Sequence, residues 1–270
     1  MNTPRISASS YSNTAPLIWS FLYGANHGKV EMILDNAPAR SAELLSQGRV
    51  DAALVPVIAY QLIEDLNLVP DVCVGAKERV RSVCLVTKGD ELENARTVSL
   101  DVSSKTSVAL TKIMFREFMG FEPEWRDAAP DIDSMLGQSD AALLIGDPAL
   151  ALSEPPAVAY GLTYRIFDLA ELWRQHTGLG FVFAMWMTRK ETSPIDFAAA
   201  RDEGLGHVNE IAANYQSEIP IGHGNLVNYL SENISYSIDD SMQQGLDLYF
   251  QLAQKNGLID TNKPLRFLNS

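Results

Sequence analysis

Runs of apolar residues alternate along the chain with stretches in which apolar positions recur at helical spacing. This pattern is typical of α/β proteins with mostly parallel strands. Arg5 to Ser9 predicts a short strand, which passes through the polar turn SSYSNTAPL into a helix. Val30 to Leu34 predicts a second strand, followed by the helix ARSAELLSQG that ends at Gly48. The run VDAALVPV then predicts a buried strand.

The second part of the chain repeats this opening. The segment RTVSLDVSSKTSVALTKIMFREF again predicts a strand, a hydroxyl-rich turn and a helix, and MLGQSDAALLIGDPAL resembles ELLSQGRVDAALVPV. The tetrapeptide DAAL begins at Asp51 and at Asp140, and Ser-Ser pairs begin at Ser9 and Ser103, offsets of 89 and 94 residues. Similar offsets for two features indicate two lobes of like build.

Two further apolar runs, RSVCLVTK (81–88) and GFVFAMWMTR (180–189), have the β-branched and aromatic content of strands. We interpret them as hinge strands that cross from one lobe to the other and back. The first lobe would then be discontinuous, with residues 1–86 and 190–270, and residues 87–189 would form the second. Residues 193–257 predict helices, the last of which ends at Gly257.

Composition narrows the classes of partner. The 270 residues are 46% hydrophobic and 20% charged, with a formal net charge of −13 and a pI near 4.7. So acidic a surface repels nucleic acid and anionic membranes, and we expect neither as a partner. A site for a small anion would have to be locally positive, built from backbone N–H groups, hydroxyls and one or two arginines.

Cys73 and Cys84 each lie in an apolar run, which predicts two buried thiols and no disulfide framework. The segment MNTPRISASS has no apolar stretch of the secretory type, and no run approaches the length of a membrane span. We therefore expect a cytoplasmic protein.

Small polar residues follow the first strand of each predicted lobe, where α/β proteins bind ligands. In the first lobe they run from Ser9 to Thr14 and include Ser10, Tyr11 and Asn13; in the second they are Ser103, Ser104, Lys105, Thr106 and Ser107. Their hydroxyls and the free N–H groups of the following helices could hold a negative group. Helix capping alone is the alternative, and the two roles can coexist.

The sequence offers few other catalytic motifs. Its four histidines have no metal-like spacing, and it lacks GxGxxG after the first strand, a phosphate-binding loop and a GxSxG elbow. In GDPAL, Gly146 and Asp147 end a predicted buried strand, so Asp147 lies either at the cleft edge or at a helix cap. We expect a hinged binder of a small anion, with no metal, no cofactor and no obvious nucleophile.

Seven segments in order resemble the chorismate dehydratase family: SYSNTAPL (10–17), PARSAELLSQGRVDAALVPV (38–57), RVRSVCLV (79–86), LDVSSKTS (100–107), ALLIGDPAL (142–150), FDLAELW (167–173) and TGLGFVFAMW (177–186). The resemblance implies the type II periplasmic-binding-protein fold, with a ligand cleft between the lobes. It also implies removal of water from chorismate, giving 3-[(1-carboxyvinyl)oxy]benzoate on the futalosine route to menaquinone.

The resemblance assigns catalysis to Asn13 and Ser82. Substrate contacts would come from Ser10, Tyr11, Thr14, Arg40, Ser103, Ser104, Thr106, Ser107, Gly146 and Asp147. The family's Pro-Ser after the second strand is Pro38-Ala39 here, which leaves Arg40 as the expected contact. Gly180 replaces the family's proline, which we expect to loosen a hinge.

The expected mechanism needs orientation and a path for one proton, because aromatisation of the ring is downhill. Asn13 and Ser82 would hydrogen-bond the reacting face and the leaving hydroxyl, and loop 103–107 would hold a carboxylate. The substrate's own enolpyruvyl carboxylate would take the proton. The alternatives are 1,4-dihydroxy-6-naphthoate synthase of the same pathway and a non-catalytic binding protein for a small carboxylate. The sequence does not predict an oligomeric state.

Overall fold

The computed structural model describes residues 3–153, 158–159 and 162–269, which form two sheets flanked by helices. The first sheet has the order β2-β1-β3-β12-β4. Its strands are β1 (Arg5–Ser9), β2 (Glu31–Asp35), β3 (Ala52–Pro56), β4 (Asn67–Ala76) and β12 (Phe181–Thr188). Strands β1, β2 and β3 are parallel, and β12 is antiparallel to both β3 and β4.

The second sheet has the order β11-β5-β8-β6-β7. Its strands are β5 (Val83–Thr87), β6 (Thr97–Asp101), β7 (Glu124–Ala128), β8 (Ala141–Ile145) and β11 (Arg165–Asp168). Strands β6, β7 and β8 are parallel, and β5 is antiparallel to β8. Strands β9 (Val158–Ala159) and β10 (Leu162–Thr163) pair antiparallel in a separate two-stranded sheet. The expected α/β fold with two lobes is confirmed.

Read from β7, the second sheet repeats the order of the first: β7, β6, β8, β5 and β11 correspond to β2, β1, β3, β12 and β4. The repeated DAAL tetrapeptide has the same role in each sheet. The carboxylate of Asp51 accepts a hydrogen bond from the backbone N–H of Arg5 at 2.8 Å, where β1 begins. The carboxylate of Asp140 accepts one from the backbone N–H of Thr97 at 2.9 Å, where β6 begins. Each aspartate thus satisfies the first donor of the neighbouring parallel strand, which explains why the pattern recurs.

Helices cover both sheets. They are α1 (Ala15–Leu22), α2 (Pro38–Ser46), α3 (Ala59–Leu62), α4 (Lys105–Ile113), α5 (Ile132–Gln138), α6 (Gly146–Leu152), α7 (Leu169–Thr177), α8 (Phe197–Leu205), α9 (Val208–Tyr215), α10 (His223–Asn228) and α11 (Asp240–Lys255). One-turn 3-10 helices span Ser12–Thr14 and Leu92–Asn94, and π-helical turns span Met114–Met119 and Tyr229–Asn233. No helix in the described part of the chain is both long and apolar enough to cross a membrane.

The chain crosses between the sheets just before strands β5 and β12, not within them. Strand β5 belongs wholly to the second sheet and β12 wholly to the first, so the crossings lie at 77–82 and 178–180. Both strands are buried along nearly their whole length, because helices pack on them: α6 and α7 on β5, and α4, α7 and α11 on β12. This covering explains their continuous apolar sequences. The lobe limits expected at 86/87 and 189/190 stay a prediction.

The second crossing is braced, although glycine at 180 was expected to loosen it. The Gly180 N–H donates to the Ser241 hydroxyl at 3.0 Å, and its carbonyl accepts from the Trp173 indole at 3.2 Å. Gly245 of α11 packs so closely that a Cβ there would lie 2.0 Å from the Gly180 carbonyl oxygen. Because α11 also contacts α4 and β12, it ties the crossing to both lobes.

Candidate functional site

A small cavity lies between the two sheets, at the carboxyl ends of β1, β3 and β8. The first lobe contributes Ser9, Tyr11, Asn13, Thr14, Pro38, Leu54, Pro56, Val74, Phe183 and Ala184 to its wall. The second contributes Val83, Ser104, Ser107, Ile145 and Gly146. The loops after β1 and β6 therefore open on one shared cavity, whose remaining wall is largely apolar.

The loop after β1 is held by its own polar groups. The Thr14 hydroxyl donates to the carbonyl oxygens of Ser9 and Tyr11, at 2.6 and 2.8 Å. The backbone N–H of Thr14 also bonds to the Tyr11 carbonyl, which closes the 3-10 turn before α1. These bonds fix the backbone on both sides of Asn13, whose side chain lines the cavity.

The loop after β6 is anchored by a buried carboxylate. Asp101 accepts from the backbone N–H and hydroxyl of Ser103 at 3.0 and 2.5 Å, and from the Ile145 N–H at 3.3 Å. Burial raises the pKa of Asp101, and these hydrogen bonds oppose the rise. Ser104 then caps α4, because its hydroxyl accepts from the backbone N–H of Ser107.

Ser82 lies in a strained turn at the first crossing. Its backbone N–H donates to the Val80 carbonyl at 2.8 Å, and Arg81 between them has φ of 62°, a conformation unfavourable for residues other than glycine. The buried carboxylate of Asp168 accepts from the N–H groups of Val80 and Arg81 and holds this turn. Burial raises the pKa of Asp168, against these hydrogen bonds.

Ser82 and Asn13 meet at a third residue, Tyr229, which begins the π-helical turn after α10. Both side chains interact with the phenol hydroxyl, and burial raises the pKa of Tyr229 far above its ordinary value. The Ser82 side chain is fully buried and does not line the cavity, whereas Asn13 does. The two residues expected to carry catalysis are thus brought together, one in the wall and one behind it.

The lobes touch across the cleft, so the structure is a closed form. Tyr11 packs against Gly146, where a Cβ would lie 2.8 Å from the ring, and the Ala39 N–H donates to the Ser103 carbonyl at 3.2 Å. Asp147 accepts from the backbone N–H and the hydroxyl of Ser12. Burial raises the pKa of Asp147 to about 6, and the hydrogen bonds from Ser12 oppose this rise.

The cavity wall has no lysine or arginine among the described residues that form it. Positive potential comes instead from helix N-termini, because α2 and α4 both begin at the wall. Each free helix end favours a negative group by about 0.3–1 kcal/mol. Within the described ranges, no group of three His, Cys, Asp or Glu side chains is placed to hold a metal ion.

The expected site residues divide into two sets. Those that line the cavity are Tyr11, Asn13, Thr14, Ser104, Ser107 and Gly146. Those that do not are Ser10, Arg40, Ser82, Ser103, Thr106 and Asp147. For both sets, a direct contact with substrate stays a prediction.

Members of the second set have other partners in this closed form. The Arg40 guanidinium is exposed and pairs with Glu43 at 2.7 Å. The buried Thr106 hydroxyl accepts from the Ile58 N–H at 3.2 Å and so joins the lobes. The Ser10 carbonyl accepts from the Tyr215 hydroxyl at 2.8 Å.

Sequence reasoning missed Tyr229 and the apolar wall. Phe183, Leu54 and Val74 supply much of that wall, but in sequence each is one more apolar residue of a buried strand. Tyr229 lies in NLVNYLSEN, where an aromatic residue at helical spacing predicts core. The chain has no local signal that separates such a tyrosine from a structural one.

Comparison with known proteins agrees with this geometry. Residues 4–255 match the family model for menaquinone biosynthesis. A curated chorismate dehydratase from Thermus thermophilus is 34% identical over 257 residues, which cover 88% of this chain and 91% of that protein.

Solved structures resemble the fold at much lower identity. Protein AF1704 from Archaeoglobus fulgidus has a TM-score of 0.69 at 15% identity, covering 95% of this chain and 98% of that one. The periplasmic aliphatic sulphonate-binding protein SsuA from Escherichia coli has a TM-score of 0.63 at 15% identity, covering 99% and 94%. The fold is thus periplasmic-binding-protein-like, as expected. By its match over nearly the whole sequence, the chain belongs to the menaquinone biosynthesis family.

Proposed function

We propose that this protein is a chorismate dehydratase, a hydro-lyase that converts chorismate to 3-[(1-carboxyvinyl)oxy]benzoate and water. The observation that carries the proposal is that Asn13 lies in the wall of a largely apolar cavity and shares a neighbour, Tyr229, with the buried Ser82. The 34% identity to the chorismate dehydratase of Thermus thermophilus supports the same activity. The cytoplasmic location stays a prediction.

The chemistry suits this cavity. The C3–H and C4–O bonds of chorismate break, the C3–C4 double bond forms, and the proton and hydroxyl leave together as water, so the ring becomes aromatic without any oxidant. The apolar side chains of Leu54, Val74 and Phe183 offer the ring a dry wall. The helix end at Ser104 and Ser107 offers hydroxyl donors to a carboxylate.

In this proposal Asn13 and Ser82 orient the substrate and assist the leaving hydroxyl. The pKa of the Tyr229 phenol lies far above neutrality, and the Asp147 carboxyl is engaged by Ser12. Neither group is therefore placed as a free base. The enolpyruvyl carboxylate of the substrate itself takes the C3 proton and passes it to the departing hydroxyl, which leaves as water. The cavity holds the substrate in the conformation that brings this carboxylate to C3.

Incubation of the purified protein with chorismate tests the proposal. We expect an aromatic product lighter than chorismate by one water, detected by liquid chromatography with mass spectrometry, and far less of it from the Asn13→Ala variant within the same time. Chorismate that binds, as measured by calorimetry, yet stays unchanged would support a binding protein instead. Chorismate that neither binds nor reacts would contradict the proposal and favour the naphthoate synthase alternative.

A further inference from the structure

Two tyrosine hydroxyls, those of Tyr229 and Tyr236, are buried close together behind the cavity. Their side chains are 0% and 5% exposed, and no described residue completes a hydrogen bond of good geometry with either hydroxyl. An unsatisfied buried hydroxyl costs about 1–3 kcal/mol. Phenylalanine at these positions would avoid this cost, so the presence of two such hydroxyls calls for a reason.

The surroundings of the two hydroxyls differ. The Tyr229 hydroxyl is approached by the Ser82 hydroxyl and by the Asn13 side chain. Both lower the pKa of Tyr229, against the effect of burial. For Tyr236, burial raises the pKa, and Tyr229 and Cys73 raise it further. Tyr229 therefore lies at the expected catalytic pair, and Tyr236 does not.

The Tyr229 ring is held from two directions. It begins the π-helical turn Tyr229–Asn233, a rare geometry that recurs at functional sites. The Arg81 guanidinium lies over the ring, 5.9 Å from its centroid, and Arg81 is the residue with positive φ in the turn that carries Ser82. The phenol and the Ser82 turn are thus packed against each other.

We propose that Tyr229 is a positioning residue, whose hydroxyl bridges Ser82 and Asn13 and orients both toward the bound substrate. This inference rests on the proposed chorismate dehydratase function. One phenol hydroxyl has one proton and two lone pairs, so it can hydrogen-bond both side chains at once. Ser82 comes from the crossing and Asn13 from the first lobe, so the bridge sets their separation when the cleft is closed.

The test is Tyr229→Phe, with Tyr236→Phe as the matched control. We expect Tyr229→Phe to lower kcat for chorismate about 10- to 100-fold while KM changes less than about threefold and the melting temperature does not fall. Tyr236→Phe removes an equally buried hydroxyl from the same segment and should leave kcat unchanged. Wild-type kcat in both variants, with an active wild-type enzyme, would overturn the inference.

A double-mutant cycle separates positioning from structure. Because Tyr229 acts through Ser82, Tyr229→Phe should lower kcat by a clearly smaller factor on a Ser82→Ala background than on the wild type. Full additivity of the two losses would contradict the bridge even if each single loss were present. An inactive wild-type protein would instead refute the proposed function, so the two failures are distinguishable.

Discussion

The carboxylate of Asp147 holds Ser12 across the cleft, with one oxygen 2.5 Å from the Ser12 hydroxyl and both within 3.2 Å of its backbone nitrogen. Ser12 belongs to the first lobe and Asp147 to the second, at the start of α6. Asp147 thus joins the two lobes in this form. Its expected contact with substrate stays a prediction.

The hydrogen bonds between Asp147 and Ser12 predict that the stability of the closed form depends on pH. The pKa of Asp147 is about 6 in the closed form, against 3.8 for an ordinary aspartate. The closed form therefore binds the proton more tightly, and the contribution of this group to its stability falls as the pH rises from about 4 to 6. Asp147→Asn should remove that contribution, so the change in melting temperature between pH 4 and pH 6 should differ from that of the wild type.

Ser12→Ala is the control for the Asp147–Ser12 hydrogen bonds. It removes the hydroxyl donor that favours the ionised carboxylate and keeps the backbone N–H, so the pKa of Asp147 should rise and the pH dependence should persist. The same pH profile for wild type and Asp147→Asn would show that Asp147 does not titrate in this range.

Asn13→Ala and Ser82→Ala should each lower kcat about 100-fold, because each removes a group that orients the reacting atoms. Chorismate should still bind to both variants, which calorimetry can measure. Ser99→Ala is the matched control for Ser82, since Ser99 is also a buried serine, bonded to Ser139 at 2.8 Å in the second lobe. It should cost stability without lowering kcat. Normal turnover by both Asn13→Ala and Ser82→Ala would contradict the assigned roles.

The source of carboxylate binding can be tested by comparing Ser107 with Arg40. Ser107 lines the cavity at the first turn of α4, and a lost hydrogen bond to a charged group costs about 1.5–3 kcal/mol. Ser107→Ala should thus raise KM for chorismate about tenfold or more. Arg40→Ala should leave KM within about twofold, because Arg40 is exposed and paired with Glu43. A large rise in KM for Arg40→Ala would instead restore Arg40 as a substrate contact.

Gly180→Pro should destabilise this chain. Proline has no N–H to donate to Ser241, and a Cβ at this position would lie 2.7 Å from the Met242 side chain and 3.1 Å from the Ala76 carbonyl oxygen. We expect the free energy of unfolding in urea to fall by about 2 kcal/mol or more. Ser241→Ala removes the same hydrogen bond without adding atoms and should cost about 1 kcal/mol. Equal stability of Gly180→Pro and the wild type would contradict the prediction that contacts at Gly180 hold the second crossing in place.

Local patterns in the sequence determined the two lobes and the two loops at the cavity. Alternating strand and helix patterns set the elements, and the repeated DAAL marked two strands whose aspartates make the same backbone bond. Hydroxyl-rich turns after β1 and β6 predicted a shared site, because the carboxyl ends of parallel strands meet at one edge of a sheet. These features depend on neighbours along the chain, so the sequence alone carries them.

Contacts between distant segments were decided only by the tertiary structure. Tyr229 meets Ser82 and Asn13 because the π-helical turn packs on the Arg81 turn, and no local pattern distinguishes this tyrosine from a core residue. Strands β5 and β12 are equally apolar in sequence, and only sheet pairing assigns one to each lobe. Arg40 likewise pairs with Glu43 away from the cavity, since the direction of a long charged side chain depends on the packing of its helix.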